Sequence, residues 1–233
     1  MNSKHWGFLF FTVLVLQLAA IAVHWQWLRF ISKPLLMVVL FTWFILASPK
    51  KLPLRYCIAA ALLFSWLGDL CLLQIGNGWF IAGLVNFLLA HSMYIAFFVR
   101  VRRTTTVPAA WNVYLITFAV AYAMALVIFL YPYTGNLKIP VGIYAAVITT
   151  MLVTAAHAVD NHRRSIIAYF ITGAVLFVVS DSLLAINKFY HPLPAGDIGV
   201  MLTYGVAQFA LTKGSLLYLA ENSSRVQNPA LHL

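Results

Sequence analysis

Residues 62–73 read LLFSWLGDLCLL and residues 175–186 read VLFVVSDSLLAI, and each stretch sets one aspartate, Asp69 or Asp181, inside an apolar run. A run of roughly 20 mostly apolar residues is what a helix needs to cross a bilayer. A carboxyl group at the centre of such a helix costs about 2.5 kcal/mol or more, so it usually faces an interior cavity and carries function. The whole chain has five acidic residues, so two of the five are spent in this way.

Working outward, similar runs fill the chain. It is 63% hydrophobic and 9% charged, with a mean hydropathy of +0.91. Such a composition excludes an ordinary soluble domain and predicts an all-α polytopic membrane protein. The runs predict eight transmembrane helices in one bundle, near 7–27, 31–48, 54–75, 78–99, 111–131, 139–159, 166–188 and 197–219. Short connections such as Gly76-Asn77-Gly78 separate them and leave no room for a soluble domain, so residues 1–233 read as a single integral membrane domain. Lys4, an apolar run and Ala20-Ile21-Ala22 also fit a signal peptide. The run continues through Leu28, which favours an uncleaved first helix.

The net charge of +10 is a topology signal. With eight crossings, Lys4, Lys50, Lys51, Arg55, Arg100, Arg102, Arg103, Arg163, Arg164, Lys213 and Arg225 fall on one side. Only Arg29, Lys33, Lys138 and Lys188 fall on the other. The positive-inside rule puts the first side, with both termini, in the cytoplasm, which in a bacterium means the inner membrane. Basic residues spread over loops do not make the clustered footprint of a nucleic-acid binder. Cys57 and Cys71 lie fourteen residues apart on one predicted helix. They cannot bridge each other and have no metal-ligand spacing, so no metal site is expected.

Asp69 and Asp181 are 112 residues apart, close to half the chain, on the third and seventh predicted helices. Phe87 and His91 on the fourth helix, four apart, answer Tyr204 and Gln208 on the eighth. This spacing suggests a parallel 4+4 internal repeat about an axis along the membrane normal. Each aspartate is fifteen residues into its helix, which at ~1.5 Å per residue sets both roughly 22 Å from the cytoplasmic end. Lys33, Asn86, Tyr144 and Tyr204 fall near the same level, with His91 and Gln208 deeper. Polar groups gathered at one depth imply a cavity, because hydrocarbon offers them no partner. For Asn86, Tyr144, Tyr204 and Gln208, the competing reading is adhesion between helices. For Lys188 it is a lysine snorkelling to the interface.

The pieces Lys33-Pro34-Leu35, Leu67-Gly68-Asp69 with Leu72-Leu73, and Gly83 with Phe87, His91 and Tyr94 occur in that order. Gly173-Ala174, Leu176-Phe177, Ser180-Asp181 and Tyr204 with Ala207-Gln208 follow. Together the chain resembles the YhhN-like, or lysoplasmalogenase, family. The resemblance implies an eight-helix bundle that hydrolyses the vinyl ether bond of lysoplasmalogens. The products would be a fatty aldehyde and glycerophosphocholine or glycerophosphoethanolamine. It maps the family's intramembrane aspartates onto Asp69 and Asp181.

That chemistry suits two carboxyl groups. One protonated acid delivers a proton to the alkene carbon, and one carboxylate steadies the resulting oxocarbenium ion and orients water, as in glycoside hydrolysis. It needs no metal or organic cofactor. Identical residue types leave open which aspartate is which. Lys33 and Lys188 are candidates for the phosphate of the lysophospholipid, and His91 for orienting a carboxylate or water. The competing classes are a proton-coupled carrier with the aspartates as its relay, and a structural protein whose aspartates only pair helices.

Overall fold

A computed structural model of the protein describes residues 3–50, 52–105, 110–160 and 163–227. Lys51 lies outside these, as does the side chain of Arg225. The regular structure is entirely helical among the described residues. The long helices are α1 (Ser3–Ala22), α2 (Gln26–Ala47), α3 (Arg55–Leu72), α4 (Asn77–Thr104), α5 (Val113–Leu130), α6 (Lys138–Ala156), α7 (Arg164–Ala185) and α8 (Gly196–Gln227). A 3-10 turn at Gly135–Leu137 leads into α6. A π-helical segment, Ile186–Tyr190, extends α7.

Seven of these helices are long and apolar enough to cross a membrane, and the chain is an integral multi-pass membrane protein. The eighth, α8, is long enough but more polar. Its Gln208, Thr212 and Ser215 are fully buried and face neighbouring helices. Polar side chains placed against protein lower a helix's mean hydropathy without facing lipid.

Several expected boundaries move. The first apolar run does not continue to residue 27. It breaks after Ala22, and His24 adopts φ +54° to reverse the chain. Histidine, like asparagine and aspartate, is among the non-glycine residues that adopt this left-handed region most readily. Helix α2 therefore starts at Gln26, which puts Arg29 and Lys33 inside its first two turns. Helix α4 runs five residues past its expected end, to Thr104. Glu221, expected beyond the last helix, lies within α8 and pairs with Arg163 at 3.5 Å.

Consecutive helices pack as antiparallel hairpins, α1 on α2, α3 on α4 and α7 on α8, and α4 also packs on α6 and α2 on α8. Small residues let the hairpins close. A Cβ on Gly68 would come within 2.8 Å of the Phe87 ring, and one on Gly173 within 2.7 Å of Leu211. The half of the bundle nearer the termini is filled by Phe97, Phe98, Phe170 and Tyr94, all fully buried. Helix α5 differs from the rest. It is the most apolar span, and only 11% of it is buried, so its surface belongs to lipid. Asn112 caps it by accepting a hydrogen bond from the Leu115 N–H, at 3.1 Å.

Candidate active site

At the bundle end opposite the termini, Asp69 and Asp181 line one polar chamber of about 400 Å³. Asp69 sits one turn from the end of α3. Its Oδ2 accepts a hydrogen bond from the Tyr204 hydroxyl of α8 at 2.7 Å, and its Oδ1 lies 3.5 Å from the Lys33 Nζ of α2. The side chain is almost completely enclosed. A buried carboxylate is tolerable when a cation and a hydroxyl share its charge, and here both oxygens are engaged. Pro34, inside α2, deletes one backbone hydrogen bond beside Lys33.

Asp181 is held differently. Its Oδ2 accepts from the Tyr144 hydroxyl of α6 at 2.5 Å and lies 3.1 Å from the Nε2 of His91 on α4. His91 and Tyr144 are themselves 3.0 Å apart. The His91 ring is fully buried and packs edge-on against Phe177, with centroids 4.6 Å apart. Three helices therefore meet at each carboxylate, α2, α3 and α8 at Asp69 and α4, α6 and α7 at Asp181. The pairing crosses the halves of the chain: α3 with α8, and α7 with α4.

The chamber continues into an apolar cleft between α4, α5, α6 and α7, lined by residues such as Leu84, Ala123, Leu126, Ala145 and Ile148. The cleft is narrow, about 70 Å³. Phe80, Phe87, Leu72, Leu184 and Asp181 border both spaces. Of the two aspartates, Asp181 stands at the junction and Asp69 lines the chamber alone. The π-helical segment serves the same boundary, with Asn187 and Lys188 facing the chamber and Phe189 the cleft.

Of the other expected site residues, Lys33, Tyr204 and Lys188 line the chamber and Tyr144 lines the cleft. Lys188 also donates to Asn77 Oδ1 at 3.4 Å. Three line neither space: His91, which reaches Asp181 from behind as described, Asn86 and Gln208. Asn86 donates to the Ala82 carbonyl one turn back at 2.8 Å and turns toward Cys71. Gln208 lies deeper, accepting from Tyr94 at 2.7 Å and donating to Ser65 at 2.9 Å. These two amides satisfy themselves in helix contacts, the competing reading of an intramembrane amide.

Sequence reasoning passed over the chamber's rim. Asp197, in the first turn of α8, lines the mouth and pairs with Arg29 at 3.3 Å. Gln17, Gln74 and Asn187 also face inward. Only the break after Ala22 brings Arg29 into α2, and an apolar run hides that break.

Comparison with known proteins finds relatives of one kind. The chain is 33% identical to lysoplasmalogenase TMEM86A of Bos taurus over 159 residues, 66% of this chain and 62% of that protein. It is 32% identical to lysoplasmalogenase TMEM86A of Homo sapiens over 173 residues, 71% of this chain and 65% of that one. To a lysoplasmalogenase of Mycobacterium bovis it is 30% identical over 163 residues, 69% of this chain and 60% of that one. The match thus spans less than two thirds of the length of each of these relatives. No solved structure matches the chain significantly. The model of the YhhN family matches residues 28–215, from the chamber-lining start of α2 through most of α8, and the chain belongs to that family.

Proposed function

We propose that this protein is a membrane hydrolase that cleaves the vinyl ether bond of lysoplasmalogens, with Asp69 and Asp181 as its acid–base pair. The products are a fatty aldehyde and glycerophosphocholine or glycerophosphoethanolamine. The observation that carries the reading is the junction at Asp181. A polar chamber with Lys33, Arg29 and Lys188 suits a phosphate head, and a narrow apolar cleft suits one unbranched chain. In a lysoplasmalogen the vinyl ether is the bond that joins those two parts. A lipid seated with its head in the chamber and its chain in the cleft sets its scissile linkage beside the carboxyl groups.

The chemistry follows from that seat. Carbon protonation makes an oxocarbenium ion, which a neighbouring carboxylate stabilises electrostatically in a site of low dielectric. Water from the chamber then adds, and the hemiacetal collapses. The family membership and the names of the relatives support the same substrate class. A carrier would need a polar path to the other side. Below the pair the bundle is filled by Phe97, Phe98, Phe170 and Phe177, all fully buried.

The test is direct. The purified protein in detergent is given an alkenyl lysophospholipid and, separately, its saturated alkyl-ether analogue. Aldehyde is expected from the first alone. A folded protein that releases none from the alkenyl lipid overturns the reading. Asp69→Asn and Asp181→Asn are each expected to lower turnover by about 10² or more.

A further inference from the structure

We infer that the two aspartates have fixed and different roles: Asp181 is the acid that protonates the alkene carbon, and Asp69 is the carboxylate that takes the proton of the attacking water. The inference rests on the hydrolase reading above and deepens it.

The hydrogen bonds separate the two groups. Both partners of Asp181 converge on one oxygen, Oδ2, reached by the Tyr144 hydroxyl and by Nε2 of His91. The other ring nitrogen of His91, Nδ1, is buried and has no partner. A proton there would be a buried donor with no acceptor, whereas a proton on Nε2 meets Asp181. The ring proton therefore sits on Nε2, and His91 donates. Both donors to Asp181 are neutral and no lysine or arginine pairs with it among the described residues, so of the two carboxyl groups it is the one placed to hold a proton, on Oδ1, which takes no donor. Asp69 has no such freedom. Lys33, donor only, faces Oδ1, and Tyr204 donates to Oδ2. Both oxygens are used as acceptors, which is the pattern of an ionised carboxylate.

Position points the same way. Along the substrate from head to tail the order is phosphate, glycerol, ether oxygen, the carbon that becomes cationic, the carbon that is protonated, and the chain. The carbon that takes the proton is the one nearer the chain. Asp181 borders the apolar cleft and Asp69 does not. Water and the leaving glycerol oxygen lie on the chamber side, with Asp69.

The steps balance. The O–H of Asp181 breaks as a C–H bond forms from the alkene electron pair, leaving positive charge shared by the adjacent carbon and the ether oxygen. Water adds to that carbon and gives a proton to Asp69. The hemiacetal hydroxyl then returns a proton to Asp181 while the bond to the glycerol oxygen breaks, and Asp69 protonates that oxygen. Asp181 ends protonated and Asp69 ionised, as they began, with one water consumed.

The experiment uses azide, a small anionic nucleophile that needs no base. In Asp69→Asn the acid still makes the cation, so azide is expected to raise substrate consumption at least about tenfold, recovering part of the general-base contribution. The trapped product is an α-azido ether, visible by mass spectrometry. In Asp181→Asn no cation forms, so azide is expected to change nothing. Tyr204→Phe and His91→Gln, milder changes beside the same carboxylates, are expected to follow Asp69→Asn and Asp181→Asn respectively. They keep the test open if an asparagine variant fails to fold. Azide acceleration on the Asp181 side, or equal acceleration on both, overturns the assignment and leaves the hydrolase reading standing. Wild-type protein run in D2O separates the two ideas. It should place one deuterium on the aldehyde carbon next to the carbonyl, and no aldehyde at all overturns the hydrolase reading itself.

Discussion

Lys33 and Asp69 show what a single buried charge demands. The lysine is the sole cation within reach of that carboxylate among the described residues. Truncating one partner of a buried pair costs about 3–5 kcal/mol, because the other charge is left uncompensated. Lys33→Met is therefore expected to lower the thermal unfolding midpoint in detergent. The double variant Lys33→Met/Asp69→Asn is expected to recover most of that loss while remaining inactive. A neighbouring residue makes a steric prediction. Gly68 lets the Phe87 ring lie against α3, and that ring borders both the chamber and the cleft. Gly68→Ala forces the ring aside, at about 1–3 kcal/mol of overpacking. Unfolding is expected to shift down and aldehyde release to fall together. Unchanged stability would show that the ring moves freely.

Among the elements, the apolar cleft is the work of α4, α5, α6 and α7, and α5 is the least buried of them. Ala145 of α6 lines it one residue after Tyr144. Ala145→Phe is expected to obstruct the cleft just past the junction. Measured kcat/KM should fall by about tenfold or more for long alkenyl chains and little for short ones. Equal losses for both would place the chain elsewhere. The π-helical segment at the end of α7 illustrates what periodicity cannot reveal. Residues 166–188 read as one apolar run, yet a widened turn begins at Ile186 and divides Lys188 from Phe189 between two spaces. Such turns depend on tertiary contacts more than on local propensity. The same holds for α8. Its polar residues look like a weak membrane span until Gln208 is seen meeting Tyr94 and Ser65 on two other helices.

Across the whole molecule, the connections at 23–25, 73–76 and 186–195 lie at one end, with the start of α1 and the end of α8 at the other. If α8 crosses the bilayer, a cysteine at His191 will react with an impermeant thiol reagent from one side, and cysteines at Lys50 and Ser224 from the other. The charge distribution predicts the latter side to be cytoplasmic. Labelling of Ser224→Cys from the His191 side would show that α8 does not cross. The packing of α4 on α6 beside that of α2 on α8 has the form a 4+4 duplication would produce. The crossed partnerships of the two aspartates have the same form, and both support the proposed repeat.

The bilayer makes part of this protein readable without coordinates. Hydrocarbon demands long apolar helices, so composition alone specifies a helical multi-pass chain, and a rise of ~1.5 Å per residue puts Asp69 and Asp181 at similar depths. The rotation of each helix about its own axis is not encoded in that count, because lipid-facing and protein-facing positions are equally apolar here. Only packing decided that Asn86 turns back on its own helix, that Arg29 and Asp197 meet at the mouth, and that both oxygens of Asp69 are occupied while Asp181 keeps one free.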